Sequence, residues 1–279
     1  MASITIRNLD DDVKDLLRQL AAENGCSMEE QARLMMGGDY GNHLRSIMKA
    51  ACAPIFWHLP EPDGRRPIRT NGTATFIQSG ERVFGVTAAH VIRSYLAEAD
   101  RDGCVLQIGL GAQQHALDLI AVDDDLDLAT FQVTERTIAS MGKEIAALSL
   151  PRPGDVPQEG RGIMIAGYIG DDRIELTNQS VGFGMMCAIA VARRANDRQI
   201  TWKPDPDFDV PVEGLPPLTR HKNLGGTSGG PMIAMFEKAG GSLSYYSLAG
   251  IITEQSAELE YVAATRAKFI QPDGSLRRW

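Results

Sequence analysis

The stretch Gly225-Gly226-Thr227-Ser228-Gly229-Gly230-Pro231 sets one serine among four glycines and a proline, poor material for the interior of a helix or a strand. It suits a tight turn in which backbone N–H groups converge beside one hydroxyl. Acyl transfer needs that arrangement, because a tetrahedral intermediate puts negative charge on an oxygen that fixed donors must hold. On its own the string also reads as a flexible glycine-rich loop. Two upstream segments give it company. His90 ends Val86-Thr87-Ala88-Ala89-His90, where small residues after an apolar strand leave room for the ring to enter a cleft. Asp127 lies between Leu126 and Leu128 at the mouth of an apolar run, where a histidine N–H would suit a buried carboxylate. Asp125 is the alternative carboxylate. Singly, His90 reads as well as a capped turn, and Asp123 to Asp127 as a solvated acidic loop. Together the three supply a nucleophile, a general base and a group to orient that base.

The elements that must position them are short strands. From Pro54 onward, β-type runs alternate with Gly, Pro and Asp turns: Ala74–Ile77, Arg82–Val86, Cys104–Ile108, Ile163–Ala166, Ser180–Val191 and Ser247–Ile252. Many short strands with turns between them favour a β-barrel or sandwich over alternating β and α units. Pro151–Pro157 and Pro204–Pro217 read as connections, and the first divides the β region near its middle. His90 and Asp127 are 37 residues apart and Ser228 follows 101 later, so the first two can come from one half and the serine from the other.

The chain order histidine, aspartate, serine resembles that of the trypsin-like serine protease family. The segments that carry the likeness are Gly72-Thr73-Ala74-Thr75-Phe76, Thr87-Ala88-Ala89-His90, Asp127-Leu128-Ala129 and Gly226-Thr227-Ser228-Gly229-Gly230-Pro231, spanning roughly residues 54 to 270. The resemblance implies a mainly β fold of two six-stranded antiparallel barrels of chymotrypsin type, one over about 54–150 and one over about 158–270. It implies Ser228 as nucleophile, His90 as general base and then acid, Asp127 as the residue holding the imidazole, and the N–H groups of Gly226 and Ser228 as the oxyanion hole. Thr253, Glu254 and Gln255 would pair with a peptide substrate. Lys222, six residues before Ser228, would sit near the base of the specificity pocket and favour acidic side chains if it points inward, or be solvated if it does not. Thr227 stands where animal digestive members carry an aspartate that pairs with a newly cut N-terminus, and Val91 where secreted members often have cysteine. Both departures point to an intracellular, disulfide-free enzyme.

Residues 1–36 read as a separate unit of one strand and two helices. Ser3 to Arg7 alternates, with Ile4 and Ile6 on one face. Val13, Leu16, Leu17, Leu20 and Ala21 then form a helical stripe that Gly25 can end, and Ser27-Met28-Glu29-Glu30 is a capping box for a second helix. One strand cannot make a sheet and so small a unit cannot bury its own core, so two copies must pair. Ala2-Ser3-Ile4-Thr5-Ile6-Arg7-Asn8-Leu9 resembles the ribbon-helix-helix family of small repressors and antitoxins. That likeness implies a homodimer through residues 1–36 and contact with operator DNA through Ser3, Thr5 and Arg7. Four basic residues against seven acidic ones within 1–36 cut against DNA binding. Residues 37–53 read as a linker and a short helix over Asn42 to Ala53, leaving 54–279 as the protease-like domain.

The 279 residues carry a net charge of −8, which argues against broad electrostatic capture of nucleic acid or anionic membrane. No apolar run is long enough to span a bilayer, and Met1–Arg7 lacks the apolar core of a signal peptide, so a cytoplasmic location is expected. Cys26, Cys52, Cys104 and Cys187 form no CxxC pair and read as free thiols, with no metal or cofactor implied. The readings to be separated are therefore a serine endopeptidase acting on a protein or peptide, a DNA-binding transcriptional regulator whose protease-like part is a sensor or self-cleaving switch, and a catalytically silent peptide binder.

Overall fold

In the computed structural model, the structure describes residues 15, 18–19, 21–22, 25, 39–60, 68–109, 117–143, 148–151, 157–177, 180–203, 223–237, 243–256 and 261–278. The chain enters the β region through helix α1 (Asp39–Ala51), which buries Met48 and Ala51 and exposes His43, Ser46 and Lys49. The sequence placed this helix at Asn42 to Ala53. It ends earlier because Pro54 disfavours helical backbone at the residue before it, and Cys52 and Ala53 already pair with Thr75 and Ala74.

The first sheet holds β1 (Cys52–His58), β2 (Ile68–Ser79), β3 (Arg82–Thr87), β4 (Val105–Ile108), β5 (Leu119–Asp123) and β6 (Leu128–Gln132), all antiparallel, in the order β4-β1-β2-β3-β6-β5. Helix α2 (Ala89–Ala99) follows β3 and α3 (Glu135–Ser140) follows β6. The second sheet holds β7 (Gly162–Thr177), β8 (Ser180–Val191), β9 (Arg194–Ala195), β10 (Gln199–Trp202), β11 (Pro231–Glu237), β12 (Leu243–Ser256) and β13 (Tyr261–Arg266), in the order β8-β7-β11-β12-β13-β10-β9.

The expectation of two six-stranded barrels is therefore corrected. The sheets have six and seven strands, and neither closes. Closure requires the two edge strands of a sheet to pair with each other. In the first sheet β4, only four residues long, pairs with β1 and β5 pairs with β6, and no ladder joins β4 to β5 among the described residues. In the second, the two-residue β9 ends the sheet opposite the long β7–β8 hairpin, too short to carry a ladder across. The β-α-α geometry expected at the N-terminus lies almost wholly outside the described residues; within it Gly25 takes φ = 63°, the left-handed value of a helix-ending glycine.

Strand β2 is buried on both faces, and its period of two explains how. Ala74 and Phe76 join the core of the first sheet with Ile55, Trp57, Ile92 and Phe131. The alternate residues Thr73, Thr75 and Ile77 face the second sheet. Between the sheets lies one shared cluster in which Cys52, Ile77, Phe84, Val86 and Leu128 meet Met164, Tyr168, Cys187, Ile233 and Ile251. The two sheets are thus joined by a hydrophobic core, with a polar rim at Thr73 and Thr75.

Candidate functional site

Helix α2 starts directly after β3, and its N-cap Ala88 has no side-chain oxygen to offer the first-turn N–H groups. Asp127 provides the acceptors instead. Its carbonyl accepts from Ala89 N–H at 3.1 Å, its Oδ1 from His90 N–H at 2.8 Å, and its Oδ2 lies 2.7 Å from His90 Nδ1. A carboxylate only accepts, so Nδ1 carries a proton, and in the neutral ring Nε2 keeps its lone pair. Asp127 holds this position at φ = 51°, the only non-glycine with positive φ among the described residues. The side chains of His90 and Asp127 are 45% and 26% exposed, so the ring sits at the surface with its carboxylate partner half-sheltered behind it. Asp125, the alternative partner, is instead ion-paired with Arg278.

The glycine-rich segment is a turn, as its composition requires, with Gly226 at φ = 97° and Gly229 at φ = 92°. Its N–H groups alternate in a telling way. Those of Gly225, Thr227, Gly229 and Gly230 donate to Asn223 Oδ1, Leu224 O, Ile252 O and Thr227 O, at 2.7–3.1 Å. Those of Gly226 and Ser228 donate to no acceptor among the described residues. Thr227 is buried, and its hydroxyl closes the turn on Leu224 O at 2.8 Å. Ser228 is tied to β2, the strand that Val91, the residue after the histidine, also packs against. Its carbonyl accepts from Thr73 N–H at 2.8 Å, and the bare Cα of Gly72 lets both Ser228 O and the Val91 side chain approach the strand. The Ser228 hydroxyl makes no hydrogen bond to His90, so the three side chains do not form a closed relay in this structure.

Along β12, the strand runs past the end of β11 after Ile251, while Glu254 and Gln255 stay paired on their other side with Ala263 and Val262 of β13. One edge of Thr253–Gln255 thus lies beyond the ladder with β11. Thr253 is buried and its hydroxyl meets that of Thr265 at 3.1 Å. Glu254 accepts from the Tyr261 hydroxyl, which raises the pKa of that phenol. Gln255 points back to the turn, accepting from Leu224 N–H at 2.9 Å and donating to Asn223 Oδ1 at 3.0 Å. Lys222, Ser3, Thr5 and Arg7 lie outside the described residues.

Sequence reasoning missed the residues that seat the turn. Thr73 Oγ1 donates to Gly226 O at 2.9 Å and Thr75 Oγ1 to Gly229 O at 2.7 Å, while Thr87 Oγ1 donates to Thr73 O at 2.8 Å. The available signal was two threonines, two apart, in the otherwise apolar run Thr73–Ile77 of β2. No group of three or more His, Cys, Asp or Glu side chains among the described residues is set to hold a metal ion, and no described helix is long and apolar enough to cross a membrane.

A family model described as "Trypsin-like peptidase domain" matches residues 72–237, and one described as "Antitoxin FitA-like, ribbon-helix-helix" matches residues 2–36. No curated protein matches the chain.

Proposed function

The chain belongs to the trypsin-like peptidase domain family and opens with a ribbon-helix-helix domain, and from that premise we propose that it is a serine endopeptidase working through His90, Asp127 and Ser228. The observation that carries the reading is the His90 Nδ1 to Asp127 Oδ2 contact at 2.7 Å, which places a proton on Nδ1 and, in the neutral ring, leaves Nε2 to accept one. His90 Nε2 takes the Ser228 Oγ proton as Oγ bonds to the substrate carbonyl carbon. The charge formed on the carbonyl oxygen is accepted by the N–H groups of Gly226 and Ser228. Collapse breaks the C–N bond as His90 protonates the leaving amine. Water, giving a proton to His90, then attacks the acyl-enzyme, and that proton returns to Ser228 Oγ as the acid product leaves. The edge of Thr253–Gln255, unpaired by β11 among the described residues, supports an extended substrate as an added strand, and Lys222 is the candidate for reading an acidic side chain. Free Cys52, Cys104 and Cys187 suit a reducing, cytoplasmic setting.

The test is a fluorophosphonate probe. It should label the wild-type protein and fail on Ser228→Ala; a folded wild type that takes no label would sink the proposal.

The N-terminal match supports a second layer of the same reading. Residues 2–36 pair two chains, so that two protease units share one dimer, and Ser3, Thr5 and Arg7 are the candidates for contacting operator DNA. Deleting residues 1–36 should convert a dimer to a monomer in sedimentation. A salt-sensitive shift of the protein's own promoter DNA, weakened in Arg7→Ala, would favour the regulator reading; no shift at low salt would exclude it.

A further inference from the structure

We infer that Thr73 and Asn71 of β2 are positioning residues that lock the Gly225–Ser228 turn in its anion-accepting form; the inference rests on the reading of Gly226 and Ser228 as oxyanion donors. Thr73 is fully buried, and its hydroxyl is used twice. It donates its one proton to Gly226 O at 2.9 Å and accepts from Tyr168 N–H at 3.0 Å. Its own N–H holds Ser228 O at 2.8 Å. One residue of the first sheet thereby fixes carbonyls on both sides of Thr227 and ties them to β7 of the second sheet.

Asn71 acts one step away. Its Nδ2 donates to Tyr168 O at 3.0 Å. A Cβ on Gly226 would lie 2.3 Å from that nitrogen, and a Cβ on Gly170 would lie 2.7 Å from Asn71 Oδ1. The carboxamide is therefore packed against both glycines that flank the Gly170 N–H to Gly225 O bond of 2.8 Å. That bond sets the plane of the 225–226 peptide. With Gly225 O turned toward Gly170, the trans geometry sends Gly226 N–H the opposite way. The Thr73 bond sets the next plane in the same manner, turning Gly226 O inward while Thr227 N–H reaches Leu224 O at 3.1 Å.

Glycine on both sides of a peptide makes rotation of that plane sterically cheap. A rotated 225–226 plane would replace a donor with a carbonyl and repel the developing oxyanion. Since Thr227 spends its hydroxyl inside the turn on Leu224 O, the outside hold comes from β2 and β7. These side chains are in place once the two sheets have packed, so the turn is set by folding, with no cleavage of the chain required.

The experiment compares T73V, T73S and N71A with wild type in full-length protein, measuring fluorophosphonate acylation rate, kcat and KM on a peptide ester, and affinity for a peptide boronic acid. The expected result for T73V is a fall of about 10- to 100-fold in acylation rate and kcat, a KM within about twofold of wild type, and an equal loss of boronate affinity. T73S, which restores the hydroxyl, should recover most of the rate. N71A should show the same kcat-selective loss at smaller size, and it carries the test alone if T73V does not fold. Wild-type acylation by folded T73V and N71A would overturn the inference while leaving the Ser228 proposal intact. Absence of labelling in wild type itself would instead remove the reading on which the inference stands.

Discussion

At Asp127 the backbone takes φ = 51° and one residue satisfies three donors: Ala89 N–H, His90 N–H and His90 Nδ1. Left-handed backbone costs an ordinary L-residue about 1–2 kcal/mol, and aspartate and asparagine are among those that bear it best. The site holds that strain because the same residue caps α2, which Ala88 leaves uncapped. Asparagine keeps the left-handed preference and the Oδ1 cap but gives up the charge, and its amide nitrogen cannot accept from His90 Nδ1. Asp127→Asn should therefore fold with nearly unchanged thermal stability and lose on the order of ten-thousand-fold in kcat, as expected where an imidazole is left in the wrong tautomer. Asp127→Ala loses the cap as well, worth about 1 kcal/mol, and should unfold at a lower temperature. Paired measurements of kcat and melting temperature on the two variants check this; equal stability in both would refute the capping role.

The acidic loop is an element in its own right, because its four aspartates tie it to two segments: Asp123 and Asp125 to Arg278, and Asp124 and Asp127 to Arg93 and His90 of α2. Asp123 Oδ1 accepts from Leu126 N–H at 2.9 Å and closes the turn that delivers Asp127. Arg278, from the C-terminal segment, grips Asp123 through Nε at 2.5 Å and Nη2 at 2.8 Å and reaches Asp125 with Nη1. Arg93 on α2 takes Asp124 at 3.1 Å. The guanidinium of Arg278 holds the Asp123 carboxyl below the usual carboxylate range, aided by the Leu126 N–H. A carboxylate whose folded pKa is depressed stabilises the fold above its unfolded pKa and loses that contribution as pH falls through the folded value. The grip on the C-terminal segment should therefore be complete at neutral pH and released in acid. Hydrogen exchange at Arg277 N–H, which donates to Phe269 O, should quicken in wild type below the carboxylate range, relative to its intrinsic rate at the same pH. In Arg278→Ala it should already be fast at neutral pH, and a slow neutral rate in that variant would dispose of the clamp. Legibility differs sharply at this scale. The sequence singled out His90, Asp127 and Ser228 because the chemistry proposed for them needs particular residue types in a particular order, and the structure pairs the first two; the strands were legible because alternation marks a buried face. Whether β4 meets β5 is a matter of edges far apart in the chain, which no local pattern encodes. The roles of Thr73 and Thr75 were hidden for a related reason: a threonine in a strand reads as a β-former, and only packing reveals which carbonyl its hydroxyl meets.

Across the whole molecule, the two sheets share one core. Cys52 comes from the first sheet and Cys187 from the second, yet both belong to the cluster between them. Burial pushes each thiol up to about 12, and the thiolate is the reactive form. Lys143 extends the same seam, its Nζ donating to Lys49 O at 2.9 Å and to the Tyr168 hydroxyl at 2.8 Å, with burial lowering its own pKa. A seam of this kind gives neither sheet a core of its own on that side, so the two should unfold together. The thiols report on it directly. In a Cys26→Ser background, a thiol reagent at pH 8 should modify the partly exposed Cys104 within the native protein. Cys52 and Cys187 should react only through opening of the seam, at a common rate that rises in step with denaturant. Should Cys187 react appreciably faster than Cys52, the sheets open separately, and the brace that β2 places on the serine turn could then be released without unfolding the whole protein.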